Sequence, residues 1–189
     1  VKIHKFNDET GKITLVDMLR CELESAPRII KFSPDGRFAY LICELKNYIS
    51  VYTYKDGPRG PVFELVQTLS TLNEYHSKGS AACVLRFSRD WNYVLCSNAG
   101  DNSVGIFKID RETGMLEKIC ILPVSGDYPK AADFFPDNRH IMALNHESNT
   151  MTIFRINYEK KYFSLWGKPL KVETPNCILV SEIEEAPKQ

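Results

Sequence analysis

Three stretches of the chain are variants of one another: Phe32-Ser-Pro-Asp-Gly-Arg-Phe-Ala-Tyr40, Phe87-Ser-Arg-Asp-Trp-Asn-Tyr-Val-Leu95 and Phe134-Phe-Pro-Asp-Asn-Arg-His-Ile-Met142. The phenylalanine and the aspartate three residues on keep step in all three. A Pro-Asp-Gly core of this kind builds a tight turn: proline presets φ, aspartate can accept from backbone amides two residues on, and glycine tolerates the left-handed region. Each stretch is therefore read as a hairpin joining two strands.

Working outward, an asparagine follows each phenylalanine at a spacing of 15 (Asn47, Asn102, Asn149), and two residues later an alternating run begins: ISVYTY at Ile49, VGIFKI at Val104, MTIFRI at Met151. A fourth such run, VKIHKF, opens the chain. The alternation is that of half-buried strands. The turn segments NDETGK at Asn7 and DRETGM at Asp110 place Gly11 and Gly114 where a positive φ is needed. Successive phenylalanines stand 55 and then 47 residues apart, room for four short antiparallel strands and no crossover helix. That is the arithmetic of an all-β chain of β-propeller blades. The units expected are 1–24 (the end of a blade), 25–72, 79–123, 127–172, and 173–189 as a closing strand and tail. The polar stretch 70–79, STLNEYHSKG, lengthens one unit and reads as an extended loop, either carrying binding groups or a plain insertion.

Of the 189 residues, 43% are hydrophobic, enough for a substantial core, and 24 basic side chains balance 24 acidic ones. No global field draws the chain to nucleic acid or to an anionic membrane, and neither partner is expected. No apolar stretch approaches the roughly 20 residues of a membrane helix. The first residues lack the apolar core of a secretory signal, and the six cysteines (Cys21, Cys43, Cys83, Cys96, Cys120, Cys177) are scattered among aliphatic neighbours. Buried reduced thiols in the cytoplasm are the expectation. His4, His76 and His140 read as strand or loop surface residues with no metal-ligand spacing, so no metal and no cofactor is expected. Nucleophile-elbow, P-loop and dinucleotide motifs are absent from the sequence.

Together, Ala26-Pro-Arg-Ile-Ile-Lys-Phe-Ser-Pro-Asp-Gly-Arg, Glu44-Leu-Lys-Asn, Ser97-Asn-Ala-Gly-Asp-Asn-Ser-Val, Gly126-Asp-Tyr-Pro-Lys, Asn145-His-Glu-Ser-Asn and Thr174-Pro-Asn-Cys-Ile resemble the lactonase-type seven-bladed β-propeller family, in its C-terminal half. Its members include propeller 6-phosphogluconolactonases and carboxymuconate-lactonising enzymes. The resemblance implies about four blades' worth of a seven-bladed ring and further blades supplied by an N-terminal half or a second copy. Closure of the two ends into a four-bladed ring is the alternative; an unclosed half-ring would expose strand edges. The implied activity is hydrolysis of a small-molecule sugar-acid lactone, such as 6-phosphogluconolactone. A non-catalytic propeller that binds a small ligand or a protein is the second reading.

The resemblance also implies a site. An arginine and a glutamate 16 residues apart lie in the central cleft of the lactonising branch, and Arg28 and Glu44 match them. Arg28 would bind an anion bidentately, and Glu44 would act as base or orient Arg28. A structural ion pair between neighbouring strands is the competing reading. His146, directly after Asn145, corresponds to Glu44 and to Ala99 in the other units, and joins the candidate catalytic set. Lys130, Asn98, Asp101 and Asn145 are the candidate substrate-binding residues. The chain departs from the family at Ile29 for histidine, Ala99 for arginine and Lys130 for arginine, the last keeping charge without the planar fork.

Overall fold

A computed structural model describes residues 1–57, 60–76 and 78–181. Among these there is no helix. The strands are β1 (Lys2–Phe6), β2 (Ile13–Met18), β3 (Pro27–Phe32), β4 (Phe38–Cys43), β5 (Tyr48–Gly57), β6 (Gly60–Ser70), β7 (Ala82–Phe87), β8 (Tyr93–Asn98), β9 (Ser103–Ile109), β10 (Leu116–Pro123), β11 (Pro129–Phe134), β12 (His140–Asn145), β13 (Thr150–Asn157), β14 (Tyr162–Leu165) and β15 (Leu170–Lys171). They form a two-stranded hairpin, β1-β2, and three antiparallel meanders, β3-β4-β5-β6, β7-β8-β9-β10 and β11-β12-β13-β14, with β15 pairing the far part of β13. These are consecutive propeller blades. Among the described residues the first hairpin is not hydrogen-bonded to the last sheet.

The repeated turns behave as their residues dictate. Asp35, Asp90 and Asp137 each accept from the backbone amide two residues on, that of Arg37, Asn92 and Arg139 respectively. The positions after them, Gly36, Trp91 and Asn138, have φ of 70°, 55° and 54°. Asn47, Asn102 and Asn149 turn each second strand into the third at φ of 50°, 52° and 54°, a conformation asparagine tolerates better than most side chains.

Each middle strand is buried on both faces and alternates its side chains between two cores. Along β8, Val94 and Cys96 join Tyr40, Ile42 and Val51, while Leu95 joins Ala132, Ile141 and Phe154 on the other side. This two-sided burial makes FAYLIC of β4 a continuous apolar run rather than an alternating one. At the start of the chain the layer is incomplete. Phe32 packs on Tyr54 and Phe63 yet stays 40% exposed, and Phe6, Ile13 and Leu15 are exposed as well. The repeat aromatic at 32 is therefore less buried than its counterpart Phe134 at 4%.

Cys43, Cys83, Cys96 and Cys120 are buried free thiols, as expected, and burial holds the Cys96 thiol at about 12. Cys177 is exposed, against the expectation that the cysteines are buried. That segment, expected to be a closing strand, carries no ladder through residue 181; residues 182–189 lie outside those described.

Candidate functional site at the inner strands

The innermost strands β3, β7 and β11 pack side by side, each at one edge of its sheet. Each starts with the same irregularity. The pairing register slips between Pro27 and Ile29, between Ala82 and Val84, and between Pro129 and Ala131. The skipped residues are Arg28, Cys83 and Lys130. A bulge leaves its extra residue unpaired and re-aims the side chain, which is why bulges gather beside functional sites.

The ends of the second strands repeat equally well. Glu44, Ala99 and His146 each donate the backbone N–H to the residue just before the first strand of their own blade, to the carbonyl oxygens of Ala26, Ala81 and Tyr128 at 2.9, 2.8 and 3.0 Å. The three blades thus present three pairs at one end of the inner wall: Arg28 with Glu44, Cys83 with Ala99, and Lys130 with His146.

Arg28 Nη1 donates to Glu44 Oε2 at 2.7 Å, and Arg28 Nε donates to the carbonyl oxygen of Cys83 in the next blade at 2.8 Å. The Glu44 bond raises the affinity of the guanidinium for its proton, against a smaller opposing effect of burial. The two side chains keep 42% and 29% of their surface, so the pair is solvent-screened and reachable. The other carboxylate oxygen of Glu44, Oε1, accepts no hydrogen bond from the described residues. Cys83 lies within electrostatic range of Arg28, Glu44 and Lys130; burial dominates and pushes its thiol up, so it is not a ready nucleophile. Lys130 Nζ stands 5.8 Å from the centre of the Tyr128 ring, and the Tyr128 hydroxyl is in range of Arg28. His146 Nδ1 is 3.4 Å from the Pro175 carbonyl oxygen and makes no hydrogen bond to Arg28 or Glu44.

Asn98 and Asn145 behave differently from the substrate-binding role expected of them. Both are 0% exposed. The Asn98 amide donates to the Thr71 carbonyl oxygen and the Ser103 hydroxyl, and the Asn145 amide to the hydroxyls of Thr150 and Thr152. Thr152 in turn donates to the Val124 carbonyl oxygen of the preceding blade. These asparagines hold strand corners together, and no atom of either reaches the surface. Asp101 accepts from the Ser103 hydroxyl at 2.7 Å in the turn between β8 and β9. Arg28, Glu44 and Lys130 all lie within electrostatic range of Cys83, while His146, on the same blade as Lys130, contacts the Pro175 carbonyl oxygen instead.

A cavity of about 750 Å³ lies elsewhere, between Tyr93, Arg139, Arg155 and Tyr158 at the junction of two blades. Among the described residues no three histidine, cysteine or carboxylate side chains converge as a metal site.

A family model for the lactonase seven-bladed β-propeller matches residues 1–180. The chain belongs to the seven-bladed lactonase propeller family. An uncharacterised protein of Lactococcus lactis subsp. cremoris is 30% identical over 169 residues, covering 89% of this chain and 49% of that one. A 6-phosphogluconolactonase of Bacillus subtilis is 24% identical over 154 residues, 82% of this chain and 44% of its own. Among solved structures, a periplasmic gluconolactonase of Pseudomonas aeruginosa superposes with a TM-score of 0.84 over 93% of this chain and 49% of its own, at 22% identity. A Lactobacillus plantarum protein follows at 0.80 over 92% and 50%, at 25% identity. The chain spans about half the length of these relatives. No helix among the described residues is long and apolar enough to cross a membrane.

Proposed function

We propose that the protein hydrolyses a sugar-acid lactone of the 6-phosphogluconolactone type, with Arg28 and Glu44 at the centre of the site. The observation that carries this reading is the reachable Arg28–Glu44 pair with one carboxylate oxygen unengaged, beside the cation of Lys130. Water would donate a hydrogen bond to Glu44 Oε1 and attack the lactone carbonyl carbon, its proton passing to Glu44. Arg28 and Lys130 supply positive charge for the oxyanion and for the substrate's anionic group. Collapse of the tetrahedral intermediate breaks the bond to the ring oxygen, which takes the proton and leaves as a hydroxyl. His146, on the same blade as Lys130, is the second candidate for that proton delivery.

A binding-only propeller is favoured by one observation. The middle blade offers Cys83 and Ala99 at the positions where its neighbours place charged or titratable groups, and burial keeps the Cys83 thiol protonated. Hydrolysis of 6-phosphogluconolactone by the full-length protein decides between the two. Turnover that falls in Arg28→Ala and Glu44→Ala supports the enzyme, and a rate equal to the uncatalysed one at high protein concentration refutes it. The free thiols fit a reducing, cytoplasmic setting, although a structural neighbour is periplasmic.

A further inference from the structure

Thr174-Pro175-Asn176 repeats the opening of an inner strand. The residue before the proline has a positive φ at Ala26 (51°), Tyr128 (60°) and Thr174 (40°), a conformation rare for any residue with a Cβ and rarer still ahead of proline. The anchoring bond repeats too. Tyr128 N donates to Asn102 Oδ1 at 2.7 Å, and one blade on Thr174 N donates to Asn149 Oδ1 at 2.8 Å. Pro175 is buried, as Pro129 is. The far end follows suit. In this alignment Leu179 falls at the position of Lys31, Arg86 and Asp133, and it lines one cavity of about 430 Å³ with those three residues. Arg89 Nη2 donates to the Val180 carbonyl oxygen at 3.3 Å, tying the segment to the hairpin turn of the β7 blade.

Residues 174–180 therefore occupy the place of a fourth inner strand, although no ladder holds them. Asn176 then falls at the position of Arg28, Cys83 and Lys130, the residues skipped by the bulges. It is exposed, and its amide makes one local bond, from Nδ2 to the Thr174 carbonyl oxygen at 3.2 Å. Among the described residues one N–H and the carboxamide oxygen meet no partner and are left for a ligand. The preceding Pro175 is the residue whose carbonyl touches His146.

We infer that Asn176 is a substrate-binding residue of the inner-wall site, donating from Nδ2 to a hydroxyl or carbonyl oxygen of the lactone; this rests on the lactonase reading above. The test uses the full-length protein with Asn176→Asp, which keeps the shape, removes the donor and adds a negative charge. The KM for 6-phosphogluconolactone rises roughly tenfold and that for neutral glucono-δ-lactone about threefold, because only the phosphorylated substrate meets the added charge. A merely structural role moves both KM values equally, and that result overturns the inference, as does no change in either. Independently, the Asn176 side-chain amide signals, assigned by their loss in Asn176→Asp, shift when 6-phosphogluconate is titrated in. If hydrolysis is absent but these signals shift, the catalytic reading falls and the binding role stands. Hydrolysis that needs Arg28, with silent Asn176 signals and unchanged KM values, removes the inference alone. No hydrolysis and no response to 6-phosphogluconate removes both.

Discussion

The Arg28 guanidinium donates from Nε to the Cys83 carbonyl oxygen at 2.8 Å, so one blade's candidate anion-binding group is clamped to the inner strand of the next. With Nη1 on Glu44, the planar fork is engaged on two sides at fixed angles. A lysine has one nitrogen and no fork, and cannot reproduce both bonds.

Arg28→Lys is accordingly expected to keep the charge and lose most of the activity, by at least about tenfold in kcat/KM, with a loss of stability near 1 kcal/mol from the unpaired carbonyl. Steady-state kinetics with 6-phosphogluconolactone and urea unfolding measure the two. Wild-type kinetics in Arg28→Lys would mean that only the charge matters.

Tyr93 and Tyr158 stack between blades with centroids 3.8 Å apart and planes 13° from parallel, and the Tyr158 hydroxyl donates to the Asn138 carbonyl oxygen at 2.5 Å. Tyr158→Phe removes the bond and keeps the stack, at a cost of about 1 kcal/mol. Tyr158→Ala removes both, at about 3–5 kcal/mol. Chemical denaturation should rank the variants in that order without changing kinetics at the inner wall.

Gly126 is required by a close approach: a Cβ there would fall within 2.5 Å of Asn145 Cγ, a side chain already fully buried and bonded to two threonines. Gly126→Ala should cost about 1–3 kcal/mol. Because Asn145 precedes His146, activity should fall more in this variant than in an equally destabilised Tyr158→Phe. Equal activities at matched stability would uncouple the corner from the site.

The Ser33 hydroxyl, and then the Arg37 guanidinium and amide, hold the Asp35 carboxyl well below the usual range. At Asp137 burial opposes the shift, but bonds from Arg139 and His140 outweigh it. A carboxyl with a depressed folded-state value contributes stability above its unfolded value, near 4, and loses it as pH falls through the folded value. Acid unfolding should therefore begin below about pH 4. Asp35→Asn with Asp137→Asn should flatten the slope of stability against pH in that window. An unchanged slope would locate acid sensitivity elsewhere.

Much of this architecture is local enough to be legible in one dimension. The phenylalanine, aspartate and asparagine of each unit recur because each turn needs a carboxylate for its own amides and a residue that tolerates positive φ, and these demands involve neighbours in sequence. Apolar runs such as FAYLIC follow from a sheet covered on both faces. Arg28 and Glu44 could be named together because the family resemblance implied the pair, and the β3–β4 hairpin brings them side by side.

Side-chain direction was not legible in the same way. Asn98 and Asn145 stand in motifs that suggest a binding role, yet the blade corners bury them, because the acceptors they satisfy, such as the Thr71 carbonyl oxygen, come from other elements. Asn176 stands in the Thr174-Pro-Asn-Cys-Ile motif, but its likeness to Arg28 and Lys130 rests on a backbone turn and on Asn149 of the preceding blade, which the sequence does not show. The sequence by itself determined the blades, their order and their hairpins, through periodicity and turn chemistry. Only the tertiary structure decided which polar residues face the inner wall, because that depends on one-residue bulges and on contacts between blades far apart in the chain.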